Sequence, residues 1–280
     1  MEKITLKKIK FKLRYLRAKL LRGFDIKFKT IYGFSLWLDL RRDVDFLMYM
    51  GEFEKSHLDI FFSFIHMNDT VIDVGANIGV YSMLASTKFT ASGNVFAFEP
   101  SKWARTRLEK NLNLNNVHNV TIIPKGVSNK SGKIDFYICE DDAYNSIGNV
   151  PMKLVIKKEV IDVITLDDFC AEQGITKVDI LKIDTEGADY LVLQGATTML
   201  NSNSPPVLFC EVNKNIKEGF NFTLEDYLNF FKKNGYDVFE IDNNTNTLCK
   251  YNLKESNSSE IICLKEYHRQ KYADILVIHE

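Results

Sequence analysis

The sequence predicts an α/β fold: a doubly wound, mostly parallel sheet with helices on both faces and a helical extension at the N-terminus. Three observations predict it. From Thr70 onward, short apolar strands alternate with amphipathic helical segments, the pattern of parallel strands joined by helical crossovers. Asp73, Glu99, Asp184 and Glu211 each fall at the end of such a strand, where sheets of this kind bind their ligands. The stretch VIDVGANIGVYS (71–82) passes from strand to helix through a turn of small residues.

The elements follow in order. Through residues 1–24, Ile9, Leu13, Leu16, Leu20 and Phe24 recur at steps of three and four with Lys and Arg between them, which predicts a basic amphipathic helix. Three readings of it stay open: packing of the stripe on the domain, docking on an anionic membrane surface or a partner enzyme, and contact with RNA. YGFSLWLD (32–39) alternates as a strand, and EKSHLDIFFSFI (54–65) reads as a helix. TVIDV (70–74), NVFAFE (94–99) and NVTIIP (119–124) are strands, separated by helices from Ile78 to about Lys88 and over SKWARTRLEKNLNLNN (101–116), the latter with Ser101 as N-cap. SNKSGKIDFYI (128–138) reads as a turn feeding a strand, DDAYNSIGN (141–149) as a polar loop and EVIDVI (159–164) as a strand. TLDDFCAEQG (165–174) is a helix between a Thr165 cap and a Gly174 stop. Strand VDILKID (178–184), helix GADYLVLQGATTML (187–200), strand PVLFCEV (206–212) and helix TLEDYLNFFKKNG (223–235) continue the alternation; YDVFEID (236–242), a hairpin region, and DILVIHE (274–280) complete the sheet. Residues 1–50 form the extension and 51–280 the main domain.

Of the 280 residues, 45% are hydrophobic and 26% charged, which excludes a disordered, collagen-like or disulfide-scaffold chain. Five scattered cysteines with no Cys-x-x-Cys offer neither a disulfide framework nor a zinc knuckle. No apolar run approaches the ~18 residues of a membrane span, and Lys and Arg interrupt the N-terminus throughout, unlike a signal peptide. A cytoplasmic protein is expected, with the inner membrane face as an alternative station for the basic helix. Residues 1–30 carry eleven Lys or Arg against two acids, leaving 25 basic and 35 acidic residues, a net −10, in residues 31–280.

The turn at 73–79 reads Asp-x-Gly-x-Asn-x-Gly. Gly75 and Gly79 permit a tight turn and close backbone approach, and Asn77 tolerates left-handed dihedrals. The Gly-x-Gly-x-x-Gly of a dinucleotide loop and the Gly-Lys-Ser/Thr of a phosphate loop are both absent. A carboxylate at Asp73 repels phosphate and suits a cationic amine. Glu99, 20 residues beyond Gly79, ends the next strand, where an acid takes both ribose hydroxyls. An adenosine with a free amino-acid end and no phosphate is S-adenosylmethionine. The competing reading is a tight strand–helix connection and nothing more.

VIDVGANIGVYS, VFAFEPSKWARTRLEKNL, VSNKSGKIDFYI, VITLDDF, LKIDTEGADYLVLQGA and VLFCEV, in that order, together resemble the FkbM-type methyltransferases over about Asp69 to Val212. The resemblance implies the class I methyltransferase fold (Rossmann-like), a seven-stranded sheet with its last strand antiparallel, and S-adenosylmethionine-dependent methylation, usually of a hydroxyl on a sugar or another metabolite. Carried over, Asp73, Gly75, Asn77 and Gly79 form the cofactor loop, Glu99 clamps the ribose, and Val127 and Ser128 flank the adenine. The family often has an acid where Asn129 stands. KIDTEGAD matches the family's Lys-Ile-Asp-Val-Glu-Gly-Ala-Glu, with Thr185 and Asp189 as departures.

A hydroxyl acceptor must lose a proton, so a carboxylate beside it serves as base. Asp184 is the first candidate and Glu186 the second. Either carboxylate could instead cap the helix starting at Gly187. A divalent cation such as magnesium on Asp184, Glu186 and Glu211 is a third option, compatible with the oxygen donors but not favoured. The five histidines show no paired metal-ligand spacing and are read as surface or packing residues. Tyr144, Asn145 and Ser146 are candidates to contact the acceptor, with a solvated turn as the alternative; Tyr81 and Trp103 are read as packing residues. The leading expectation is an O-methyltransferase for a saccharide or glycoconjugate hydroxyl, its basic helix holding it near a membrane or a glycan-assembly partner. An RNA methyltransferase would carry more basic charge and an Asn-Pro-Pro-Tyr-like motif, whereas this region is net acidic. A non-catalytic cofactor-binding module is the remaining rival.

Overall fold

The computed structural model describes residues 2–90, 92–148, 154–212, 219–242, 245–253, 256 and 259–279, without the side chains of 2–7, 10 and 279. The basic helix α1 (Glu2–Leu21) leads into a hairpin, β1 (Asp25–Lys29) and β2 (Ser35–Asp39), and helices α2 (Asp43–Met50) and α3 (Lys55–Phe64). The alternating part comprises β3 (Thr70–Val74), α4 (Val80–Ser86), β4 (Asn94–Phe98), α5 (Lys102–Leu114) and β5 (Val120–Ile123). After β6 (Gly126–Val127), β7 (Gly132–Cys139) and β8 (Val155–Ile164) come α6 (Leu166–Gln173), β9 (Ile180–Ile183), α7 (Asp189–Gln194), α8 (Thr197–Leu200), β10 (Val207–Glu211) and α9 (Leu224–Lys233). The chain closes with β11 (Asp237–Asp242), β12 (Thr247–Lys250), β13 (Glu260–Leu264), α10 (Glu266–Lys271) and β14 (Ile278–His279).

The main sheet has nine strands in the order β14-β12-β11-β13-β10-β9-β3-β4-β5. The five from β10 to β5 are parallel, and β13 runs antiparallel between β10 and β11. Seven strands, from β11 to β5, therefore form the α/β core that the resemblance implies, and β12 and β14 extend its edge. The antiparallel strand is not DILVIHE, of which only Ile278–His279 pairs among the described residues, but EIICL (260–264), which the sequence reading missed. All five residues of EIICL are buried, whereas Ile275 and Val277 are exposed. A continuous apolar run marks a strand covered on both faces.

EVIDVI also belongs elsewhere. β8 pairs antiparallel with β7 and parallel with β6 in a separate three-stranded sheet. Between β7 and β8 the described residues hold no α-helix, only a single 3-10 turn at Asp142–Tyr144, and without a crossover helix two successive strands pair as a hairpin. The segment 187–200 splits into α7 and α8 at Gly195, whose backbone lies so close to the Ser128 carbonyl that a Cβ would come within 2.3 Å of its oxygen. Asp167 then accepts hydrogen bonds from the N–H groups of Thr198 and Met199 (2.8 and 3.0 Å), holding the start of α8.

The caps on Ser101 and Thr165 are formed as read, by side chains accepting from Ala104 N–H and Asp168 N–H. Two core clusters cover the faces of the sheet. One of them contains Phe34, Leu36, Leu38, Leu40 and Met48 together with Val71, Leu84 and Leu108, so the hydrophobic core runs continuously through residue 50. Asp45 strengthens that junction: buried, it accepts from Asp39 N–H and from Arg107 of α5. All five cysteines are free thiols.

Candidate active site

The site forms where β3, β4, β9 and β10 end side by side. β3 and β9 run in register, Val74 opposite Ile183, so the loops that follow emerge in contact. Gly75 (φ +82°) lets them touch: a Cβ there would lie 1.8 Å from the Asp184 carbonyl oxygen. The N–H groups of Gly75 and Ala76 both donate to the Phe98 carbonyl at 3.0 Å, bending the loop toward β4. Asn77 takes the left-handed conformation (φ +48°), which places its N–H 2.9 Å from Glu99 Oε2. Ser101 N–H donates to the other oxygen at 2.8 Å. The Glu99 carboxylate thus spans the two loops, with lone pairs left on both oxygens. Burial pushes it up to about 7, against the pull of the two N–H donors. Asp73 is buried and accepts from Ser82 Oγ (2.6 Å), fastening β3 to α4; burial lifts it to about 6.

These loops form one side of a cavity of about 320 Å³, a volume suited to a small molecule. Asp73, Gly75, Asn77, Glu99, Val127, Asp184 and Glu186 all line it. Gly79 and Ser128 do not. Gly79 (φ +92°) packs against α5, where a Cβ would meet Leu108 Cδ1 at 2.2 Å. Ser128 is turned behind the wall, its N–H donating to the Ile164 carbonyl.

The other side is made of carboxylates. Asp184, Glu186 and Glu211 bring one oxygen each within 4.8 Å of one another. The turn that presents them uses positive φ at Glu186 (+52°) and Gly187 (+96°). Neither Asp184 nor Glu186 caps the following helix: α7 starts at Asp189, behind Ala188, with no side-chain cap. Asp189, itself buried, accepts from Thr185 Oγ1 and Glu211 N–H. Glu186 and Glu211 each leave Oε2 buried without a hydrogen-bond partner among the described residues. Burial first, then the neighbouring carboxylates, raises both well above the usual range. A third of the Asp184 side chain is exposed (33%), and Lys182 Nζ donates to it at 3.3 Å.

Lys182 is the buried counter-charge of the site. It is 1% exposed, lies 3.8 Å from Glu260 and sits over the Tyr81 ring. Burial works against its charge, but Asp184, Glu260, Glu54 and Asp73 outweigh that and raise it well above its ordinary value. Tyr81 donates to Glu54 (2.5 Å) as well as packing edge-on against Phe61. Sequence reading missed Lys182, Glu54, Glu260 and Asp43 as site residues. The lysine left a signal, a lone cation inside the four-residue strand ILKI, every position of which is buried; the others follow only from tertiary contacts.

Tyr144, Asn145 and Ser146 also line the cavity. The Tyr144 hydroxyl donates to Asp43 (3.0 Å), Asn145 accepts from Cys139 N–H, and Ser146 Oγ donates to the carbonyl oxygens of Thr185 and Glu186. The polar loop is therefore tied to α2 on one side and to the carboxylate turn on the other. Ten carboxyl side chains and two lysines line the cavity. The only candidate metal cluster among the described residues is Asp184, Glu186 and Glu211, all oxygen donors, a set that fits a hard divalent cation. No histidine belongs to it: His268 is buried and His57 half-buried, and both are lowered to about 4, primarily by loss of solvent.

Comparison with known proteins finds methyltransferases among the relatives. Hexuronic acid methyltransferase AglP of Haloferax volcanii is 33% identical over 138 residues, 48% of this chain and 53% of that protein. Methyltransferase 1 of Beauveria bassiana is 29% identical over 143 residues, 45% of this chain and 57% of that protein. The chain thus matches little more than half the length of either relative. Among solved structures, Trm5b from Pyrococcus abyssi superimposes with a TM-score of 0.44 at 16% identity, covering 85% of this chain and 54% of that one. The Methyltransferase FkbM domain matches residues 73–238, from Asp73, the penultimate residue of β3, to the strand β11, and the chain belongs to that family.

Proposed function

We propose that this protein is an S-adenosylmethionine-dependent O-methyltransferase whose acceptor is a hydroxyl of a saccharide, glycoconjugate or related metabolite. One observation carries the reading: a single cavity joins the Asp73–Gly79 loop and Glu99 to the Asp184–Glu186 turn. The residues fit the cofactor. Glu99 offers two carboxylate oxygens to vicinal hydroxyls, Val127 an apolar wall to a base, and the acidic lining suits an ammonium and a sulfonium. When bound, S-adenosylmethionine supplies the methyl group and departs as S-adenosylhomocysteine.

The chain's own residues have two tasks. They hold the acceptor oxygen in line, ~3 to 3.5 Å from the methyl carbon, and they take its proton. Asp184 is suited to the second, being one-third exposed and hydrogen-bonded to Lys182. Glu186, whose carboxyl is raised well above the usual range by burial and by Asp184, stands beside it to hydrogen-bond the acceptor. Glu211 completes the wall. A divalent cation on the three carboxylates is compatible with the donor set, and the proposed proton transfer draws on none.

The saccharide class is supported by the Haloferax volcanii relative, a hexuronic acid methyltransferase, and by the cavity's charge. Ten carboxyl groups against two lysines oppose a polyphosphate backbone, which disfavours RNA. Transfer of labelled methyl from S-adenosylmethionine to a panel of sugar nucleotides and glycans, with RNA alongside and with or without chelator, tests the reading. Label in a saccharide fraction is expected. Label in RNA alone would replace the acceptor class, and binding of S-adenosylhomocysteine without transfer to any acceptor would favour a non-catalytic module.

A further inference from the structure

Helix α1 presents its apolar stripe to solvent. At ~100° per residue, Ile9, Leu13, Leu16 and Leu20 fall within a sector of about 60°. Their exposures are 52, 61, 50 and 80%. Lys8, Lys12 and Lys19 flank one edge of the stripe and Arg17 the other.

The opposite face holds the domain. Ala18 is 1% exposed, and Arg14 donates to the Met50 carbonyl (3.3 Å) while lying over the rings of Phe28 and Tyr49. Tyr15 meets Phe46 of α2 edge-on. The helix is thus fastened with its Leu/Ile side outward, the reverse of a helix whose stripe serves the core. Phe24 (64% exposed) and Ile31 (77%) add further exposed apolar groups just beyond it.

We propose that this face is a docking surface for an anionic lipid bilayer. Charge complementarity selects the occupant: residues 1–30 carry eleven cations and two acids, and cations bordering an apolar stripe match lipid phosphates above acyl chains. RNA would use the cations and leave four exposed aliphatic side chains without a partner. A second copy of the chain would oppose cation to cation along both edges. No described helix is long and apolar enough to cross a membrane, so α1 lies on the surface. Because α1 packs on α2, and Asp43, Val44 and Leu47 of α2 line the active-site cavity, only α1 and α2 separate the bound bilayer from the site. The surface reading is independent of the reaction assigned to that site.

Co-sedimentation of the full chain with vesicles of phosphatidylcholine alone, or containing about one third phosphatidylglycerol, tests this. Binding to the anionic vesicles only is expected. Replacing Leu13, Leu16 and Leu20 together by Ser should weaken it at least about tenfold, with circular dichroism unchanged because the three side chains are exposed. Replacing Lys8, Lys12 and Lys19 together by Gln should weaken binding and flatten its salt dependence. Three results would overturn the proposal: no binding of the wild-type chain to anionic vesicles, wild-type binding by the triple Ser variant, or a concentration-dependent dimer that the triple Ser variant abolishes.

Discussion

The two sides of the cavity are built in different ways. The side formed by the 73–79 loop and Glu99 is fixed by backbone: two N–H groups on the Phe98 carbonyl, two more on the Glu99 carboxylate, and a glycine that admits the neighbouring loop. The side formed by Asp184, Glu186 and Glu211 is fixed by side-chain charge, with three carboxylates clustered together, Asp184 held by the buried Lys182, and one oxygen each of Glu186 and Glu211 without a hydrogen-bond partner among the described residues. The first is preorganised to bind; the second stores unsatisfied polarity that a ligand can relieve. Substitutions on the two sides should therefore fail differently.

The largest effect is expected on the charged side. Asp184→Asn removes the proposed base and should lower turnover by roughly 10² to 10⁴-fold, while calorimetry finds S-adenosylhomocysteine affinity changed by no more than about threefold. A parallel loss of affinity would mean that Asp184 belongs to the cofactor side. Gly75→Ala is next. Its Cβ cannot avoid the Asp184 carbonyl, and its φ is unfavourable for alanine, so urea unfolding should show a loss of about 3 kcal/mol together with loss of cofactor affinity.

How legible each side was in the sequence follows from the same distinction. Glycines, Asn77 and an acid at a strand end carry their role in their residue type, because few residues adopt those dihedrals or tolerate that approach. Asp184 and Glu186 were visible through a family pattern. The surroundings that separate their properties were not: Lys182 lies within one apolar strand, Glu54 arrives from α3's approach and Glu260 from β13. The sheet shows the same limit. Strands joined by helices were readable from periodicity, whereas β13 and the β7–β8 hairpin depend on which apolar run the core accepts and on a connection with no α-helix among its described residues. The extension illustrates it again, since a stripe at helical spacing does not reveal which face the domain will cover.

Smaller effects sharpen the contrast. Glu99→Gln keeps the shape but weakens acceptance from ribose hydroxyls, so affinity for S-adenosylhomocysteine should fall about tenfold, a loss of about 1.4 kcal/mol. Turnover at saturating cofactor should change less than it does for Asp184→Asn. Glu186→Gln should be smaller still and pH-dependent. A carboxyl whose folded pKa is raised retains a proton that the unfolded chain releases above ~4.5, so its contribution to stability falls as pH rises from there toward the folded value. Thermal unfolding at pH 5 should find wild type and Glu186→Gln alike; at pH 8 the variant should melt a few degrees higher. His57 and His268, held neutral near 4, act with the opposite sign between ~4 and 6.5 and cancel in this comparison. Equal melting temperatures at both pH values would remove the raised carboxyl from the description.

Titration of the full chain with S-adenosylhomocysteine by calorimetry tests the central claim most directly, because both sides of the cavity derive their assignment from the cofactor between them. One site per chain with micromolar affinity, lost in Gly75→Ala and retained in Asp184→Asn, is the expected result. The absence of binding at high micromolar concentration would contradict it.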